Sequence, residues 1–207
     1  MSSDTSHTGN TLAEHLQLSS YQINLLQQSW QRLRCSPNFA INIFRTVISK
    51  NAIAKELFRK TLIIDGFTSY KCYDVKEHAD GLIELIDFAL KEIHNSIKVV
   101  QDRCIVVGTA HCNISENAMS SSWDDFGDSL VESIAKAEPI HGKRKCLKAW
   151  NVLLSFIVDR MKGGYLAESK RRASKKSSRQ ENAGPSSLHT STAPAILECY
   201  NTIESNQ

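Results

Sequence analysis

A chain of 207 residues is long enough for one ordinary domain with a sizeable core plus tails, and short for two. Hydrophobic residues at 41% and charged residues at 23% exclude a disordered or collagen-like chain. The net charge of +3 is mild and much of the excess sits in one late cluster, so charge does not imply a nucleic-acid partner.

The opening MSSDTSHTGNTLAEHLQLSS lacks a basic start followed by an apolar run, so no secretory signal is expected. No segment approaches the roughly 20 consecutive apolar residues that span a bilayer, and Ser2 stands where myristoylation needs glycine. A soluble, cytoplasmic protein is the expectation. The six cysteines, Cys35, Cys72, Cys104, Cys112, Cys146 and Cys199, lack CxxC spacing and read as free thiols.

Residues 1–17 are polar without a sustained apolar period, which predicts a flexible arm. The domain is expected over 18–166. Ser19 and Gln22 have capping-box spacing, with Leu18 and Ile23 placed as a hydrophobic staple. Ile23, Leu26, Trp30 and Leu33 then mark one helical face. Pro37 fits the first turn of a second helix, striped by Ala40, Ile43, Phe44, Val47 and Ile48. A short, weaker segment spans 52–58. Residues 59–73 show no period and predict a loop, with room for one helical turn.

Asp74 and Glu77 again have capping-box spacing and open a long helix with Val75, His78, Leu82, Leu85, Ile86 and Ala89 on one side. Ile97, Val100, Cys104, Val107 and His111 share the face of the next helix. Met119, Trp123, Phe126, Leu130 and Ile134 outline another, stopped near Pro139. Cys146, Trp150, Leu153, Ile157 and Met161 outline the last, with Gly163-Gly164 predicted as its left-handed C-cap. The polar, basic run from 167 to 207 predicts a mostly disordered tail, with a weak helix at Ala193–Leu197. No strand pattern competes with these helices, and the fold class is all-α.

Two histidines, His78 and His111, lie on apolar stripes of consecutive helices. A buried imidazole without a partner costs roughly 1–3 kcal/mol, so each demands one. A backbone carbonyl would satisfy either of them. Periodicity leaves zinc, haem or neither open.

From about Leu18 to Tyr165 the order of motifs resembles a globin. The landmarks are LSSYQINLLQQSW with Trp30, KELF with Phe58, VKEHADGL with His78 twenty residues later, and VVGTAHCNI with His111. SSWDDFGDSLVESI and AWNVLLSFIVDRMKGGY then resemble the last two globin helices, and the likeness is to invertebrate, nematode-like members. The resemblance implies six to eight helices around a haem pocket, and haem b (iron protoporphyrin IX) as cofactor. His111 would be the proximal iron ligand, a role suited to neutral imidazole. His78 would stand across the haem, as a hydrogen-bond donor to bound gas or as a second ligand. Phe58 would pack on the porphyrin, Phe44 and Leu82 would shape the distal cavity, and Val107 and Ile114 would line the proximal side. Each of these five also reads as plain core.

The implied function is reversible binding of oxygen or another diatomic gas, for transport, storage or sensing. The alternatives are a six-coordinate redox or signalling globin, or a globin-shaped interaction module without haem. Nothing resembles an attached flavin or nicotinamide reductase domain, so an enzyme is not expected. The resemblance leaves a homodimer open. Three features depart from the family pattern. Asn51-Ala52 stands where proline is common, the stretch from His78 to His111 is somewhat long, and Phe44 is bulky where many oxygen carriers have leucine. In the tail, Lys170, Arg171, Arg172, Lys175, Lys176 and Arg179 offer a weak contact for membrane or protein. Arg171-Arg172-Ala173-Ser174 has the Arg-Arg-x-Ser form favoured by basophilic kinases. Cys72 precedes the distal helix, where oxidation would shift His78; an inert thiol is the simpler reading.

Overall fold

The computed structural model describes residues 10–59, 62–64, 67–69 and 75–181. Among these it is all-α: α1 (Leu12–His15), α2 (Ser20–Arg34), α3 (Phe39–Lys50), α4 (Ala52–Arg59), α5 (Val75–Lys91), α6 (Ile97–Ala110), α7 (Glu116–Lys136) and α8 (Arg144–Glu181). Between α4 and α5 a small antiparallel pair, β1 (Leu62–Ile64) and β2 (Phe67–Ser69), stands where a loop was expected. No described helix is long and apolar enough to cross a membrane.

Helix α2 starts as its spacing predicts. Ser19 accepts from the Gln22 amide, and the Gln22 side chain returns to the Ser19 amide at 3.0 Å. Its apolar stripe, Ile23, Leu26, Trp30 and Leu33, is buried. Buried Ser29 then ties α2 to α8. Its hydroxyl donates to the Leu25 carbonyl at 2.6 Å and accepts from the fully buried Trp150 indole at 2.9 Å. The Trp30 ring lies 5.9 Å from the Trp150 ring, and its N–H donates to Asp87 on α5, which also pairs with Arg34 at 2.9 Å.

Pro37 lies before α3 rather than in its first turn. Asn38 at the N-cap takes the left-handed conformation (φ 59°), a region that asparagine tolerates, and starts the helix one residue later. The missing proline ahead of α4 also has an explanation. The buried Asn51 side chain accepts from the Ala54 amide at 2.9 Å, capping the helix, and donates to Asp125 on α7 at 2.5 Å.

The arm and the tail both differ from expectation. Thr11 and Glu14 form a capping box that opens α1. The Leu12 and Ala13 amides donate to the Asn95 and Ile93 carbonyls, at 3.0 and 2.9 Å, and Leu12 is fully buried. Burying one leucine contributes about 1.5–3 kcal/mol, which holds a helix too short to persist alone. The segment 10–17 therefore docks on the α5–α6 turn, and only residues 1–9 of the expected arm lie outside the described residues.

At the other end, Gly163-Gly164 does not stop α8, which continues to Glu181. Both glycines lie inside the helix, and Gly164 serves a helix crossing. A Cβ on Gly164 would meet the Ile105 carbonyl oxygen at 2.5 Å, and one on Gly108 of α6 would meet the Met161 carbonyl oxygen at 1.8 Å. Helices α6 and α8 touch backbone to backbone there. The tail helix call at Ala193–Leu197, the Asp74 cap, Cys72 and Cys199 lie outside the described residues.

Gly108→Ala and Gly164→Ala are expected to destabilise the fold by about 1–3 kcal/mol or more through overpacking. Gly163→Ala, with nothing within 4 Å of the new Cβ, should instead stabilise by about 0.5–1 kcal/mol through helix propensity. Urea unfolding of the three variants checks the opposite signs. Burial also pushes the Cys104 thiol up to about 12, while Cys35 is exposed. Iodoacetamide at pH 8 should therefore label Cys35 and leave Cys104 unmodified in the folded chain, as read by peptide mass mapping.

Candidate functional site

Helix α5 carries His78 on the side that faces α3, and α6 delivers His111 at its C-cap. The two imidazoles face one another with ring centres 6.2 Å apart and planes at 70°. Aromatic rings close around them. Phe58 lies 5.0 Å from the His78 ring and Phe44 5.7 Å from it, while Phe44 stacks on Phe126 at 5.5 Å. On the other side, Trp123 of α7 lies 5.4 Å from the His111 ring and 6.4 Å from Tyr165 of α8.

The tautomer of His111 follows from its hydrogen bond. Nδ1 lies 2.8 Å from the Val107 carbonyl oxygen, one helical turn back. A carbonyl only accepts, so Nδ1 carries the proton and Nε2 is left as the basic nitrogen. Burial pulls the His111 pKa below its ordinary value, and the positive form of His78 would pull it further. The Val107 bond opposes this and does not overcome it. The imidazole is thereby kept neutral with one lone pair available.

The corner after His111 is held from α8. The fully buried Tyr165 donates through its hydroxyl to the Ile114 carbonyl at 3.0 Å, and Arg172 donates to the Asn113 side chain at 2.5 Å. Burial raises the Tyr165 pKa, so this hydroxyl keeps its proton and remains a donor. Trp123 is buried, and its indole N–H has no acceptor among the described residues.

Of the residues singled out by sequence, His78, His111, Phe44 and Phe58 come together in one ring cluster. Leu82 is buried on α5 one turn beyond His78. Val107 and Ile114 lie four residues before and three after His111, partly buried, and each contributes a carbonyl that fixes a neighbour. Sequence reading placed Trp123 and Phe126 only as stripe residues of α7 and gave Tyr165 no role. All three belong to the cluster. The signal was present in the three-residue step from Trp123 to Phe126, but a period cannot say which buried ring faces a histidine.

Among the described residues no group of three or more His, Cys, Asp or Glu side chains is placed to hold a metal ion. A tetrahedral zinc site draws three or four such donors from the protein. A haem brings four nitrogens of its own and asks for one or two axial ligands. The donor set around His111 fits the second arrangement.

No protein-family model matches the chain. It is similar to globin-like protein 9 of Caenorhabditis elegans, at 23% identity over 171 residues, covering 79% of this chain and 67% of the relative. The Caenorhabditis briggsae protein of the same name matches at 23% identity, covering 79% and 68%. Globin-like protein 26 of C. elegans is likewise 23% identical over 158 residues, or 74% of this chain and 79% of the relative. The likeness to these nematode globin-like proteins runs through most of this chain, which shares with them an order of motifs carried here on an all-helical fold.

Proposed function

We propose that the chain binds one haem b through His111 and reversibly takes up oxygen or another diatomic gas. The observation that carries this reading is the His111 side chain itself: neutral, with Nδ1 committed to the Val107 carbonyl and Nε2 left basic, facing a second imidazole. That hydrogen bond is what orients a metal-binding histidine and makes it a better donor. When bound, the haem supplies an iron centre that ligates a small gas reversibly. The protein holds that centre with His111, packs Phe58 and Phe44 on the distal side to exclude water, and shapes the cavity with Leu82. Val107 and Ile114 line the proximal face. His78 would steady a bound gas by a hydrogen bond.

A second reading has an observation of its own. Metal–imidazole bonds run about 2.0–2.1 Å, so two imidazoles sharing one metal ion sit roughly 6–6.5 Å apart, centre to centre. The 6.2 Å between His78 and His111 falls in that range. In this reading His78 would hold the haem iron together with His111, and the haem would supply a six-coordinate centre. That behaviour suits sensing or electron transfer better than bulk oxygen carriage. In both readings the chain is a binding protein rather than an enzyme.

Purified chain titrated with haem should develop a Soret band, and His111→Gly should weaken or abolish it. Normal haem binding by that variant would remove His111 as ligand, and a wild-type chain that stays colourless would favour the haem-free interaction module. On the second reading, His78→Leu should keep the haem but change the ferrous visible spectrum from six-coordinate to five-coordinate. An identical spectrum for both proteins would leave His78 outside the coordination sphere.

A further inference from the structure

Helix α8 runs well past the helical core, and its last turns carry a dense charge pattern. The Glu168 carboxylate, with its side chain only 13% exposed, accepts from Arg171 Nε at 2.6 Å, Arg171 Nη2 at 2.5 Å and Arg172 Nε at 2.8 Å. Two guanidinium groups hold that carboxyl down at about 2. Arg172 then reaches across to Asn113 Oδ1 at 2.5 Å, two residues beyond His111. The shared carboxylate thus links the basic end of α8 to the corner that follows the proximal histidine. Residues 171–176 are all exposed.

We propose that Ser174 is a phosphorylation site for a basic-residue-directed serine kinase, and that its phosphate draws Arg171 off Glu168 and resets the Arg172–Asn113 tie. Three observations support this. Arg171 and Arg172 stand three and two residues before Ser174, the spacing such kinases read. Ser174 is exposed, and its hydroxyl donates to the Lys170 carbonyl of its own helix at 3.1 Å. A helix end held by its own backbone bonds and not by core packing opens locally, which gives an enzyme access to an extended segment.

The transfer is simple in its chemistry. The Ser174 hydroxyl attacks the γ-phosphorus of ATP, ADP leaves, and the hydroxyl proton goes to solvent. The product carries about −1.5 to −2 charge and three acceptor oxygens. Helical spacing makes residues 171 and 174 neighbours, and Lys170 is the i−4 neighbour on the same side. A dianion there competes with the single charge of Glu168 for Arg171. Glu168 is then left with Arg172 alone, and the guanidinium that reaches Asn113 is pulled back along the helix.

The experiment uses the full chain with ATP, magnesium and a basophilic serine kinase. One phosphate should map to Ser174 by peptide mass spectrometry and be absent from that peptide in Ser174→Ala. Phosphate found only on other serines, or none, overturns the site. Hydrogen exchange at the Cys112 and Ile114 amides, which bond to Thr109 and His111 in this corner, should rise about two-fold on phosphorylation. Arg171→Ala should raise it similarly without any phosphate. Unchanged exchange in phosphorylated chain and in Arg171→Ala overturns the link to the corner. Both measurements work on protein with or without haem, so their failure is distinct from failure of the haem reading.

Discussion

The backbone contact between α6 and α8 governs where the site lies. Gly108 and Gly164 sit on opposite sides of one crossing, and neither helix has room there for a methyl group. Close packing of this kind gains dispersion contacts along both helices and leaves little tolerance for added volume. It also sets the position of α6 relative to α7. Tyr165 follows Gly164 directly, so the same crossing drives its ring in against Trp123 and its hydroxyl onto the Ile114 carbonyl. The corner bearing His111 is thus positioned by two side chains that are absent.

From that crossing a continuous run of rings extends through the molecule. Phe126 stacks on Phe44, Phe44 and Phe58 press on His78, His78 faces His111, and His111 packs on Trp123. An environment built of rings favours neutral imidazole over imidazolium, because burial removes the water that would solvate the charge. The Val107 carbonyl then selects the tautomer. These two effects, one from tertiary packing and one from the helix backbone, combine to leave a single basic nitrogen on His111. The far end of the bundle is held by different means. Ser29 and Trp150, with Trp30 on Asp87, satisfy every polar group they bring inside.

Much of the fold could be read from periodicity. The stripes from Ile23 to Leu33, from Met119 to Ile134 and from Cys146 to Met161 are all buried, because a 3.6-residue period and a hydrophobic core leave few other arrangements. Local capping was legible for the same reason at Ser19 and Gln22, where the bonding partners lie three residues apart. His78 and His111 could be picked out because a histidine on an apolar stripe conflicts with burial and calls for a partner. Resemblance to a family then supplied an expected partner that periodicity left open.

What sequence reading missed depends on contacts between segments far apart in the chain. Thr11–Leu16 is too short and too polar to declare a helix, and it exists because the Ile93 and Asn95 carbonyls and the core accept it. Gly163-Gly164 has the local signature of a helix end, yet the Ile105 carbonyl that requires a glycine is about 60 residues away and α8 runs on. Asn51 looked like a missing proline until Ala54 and Asp125 showed it to be a cap. Residue type and spacing determined which faces are apolar and which histidines are unusual. Only the packing of α3, α5, α6, α7 and α8 against one another decided that the two histidines face each other 6.2 Å apart, since that distance is set by helix crossings and not by any local period.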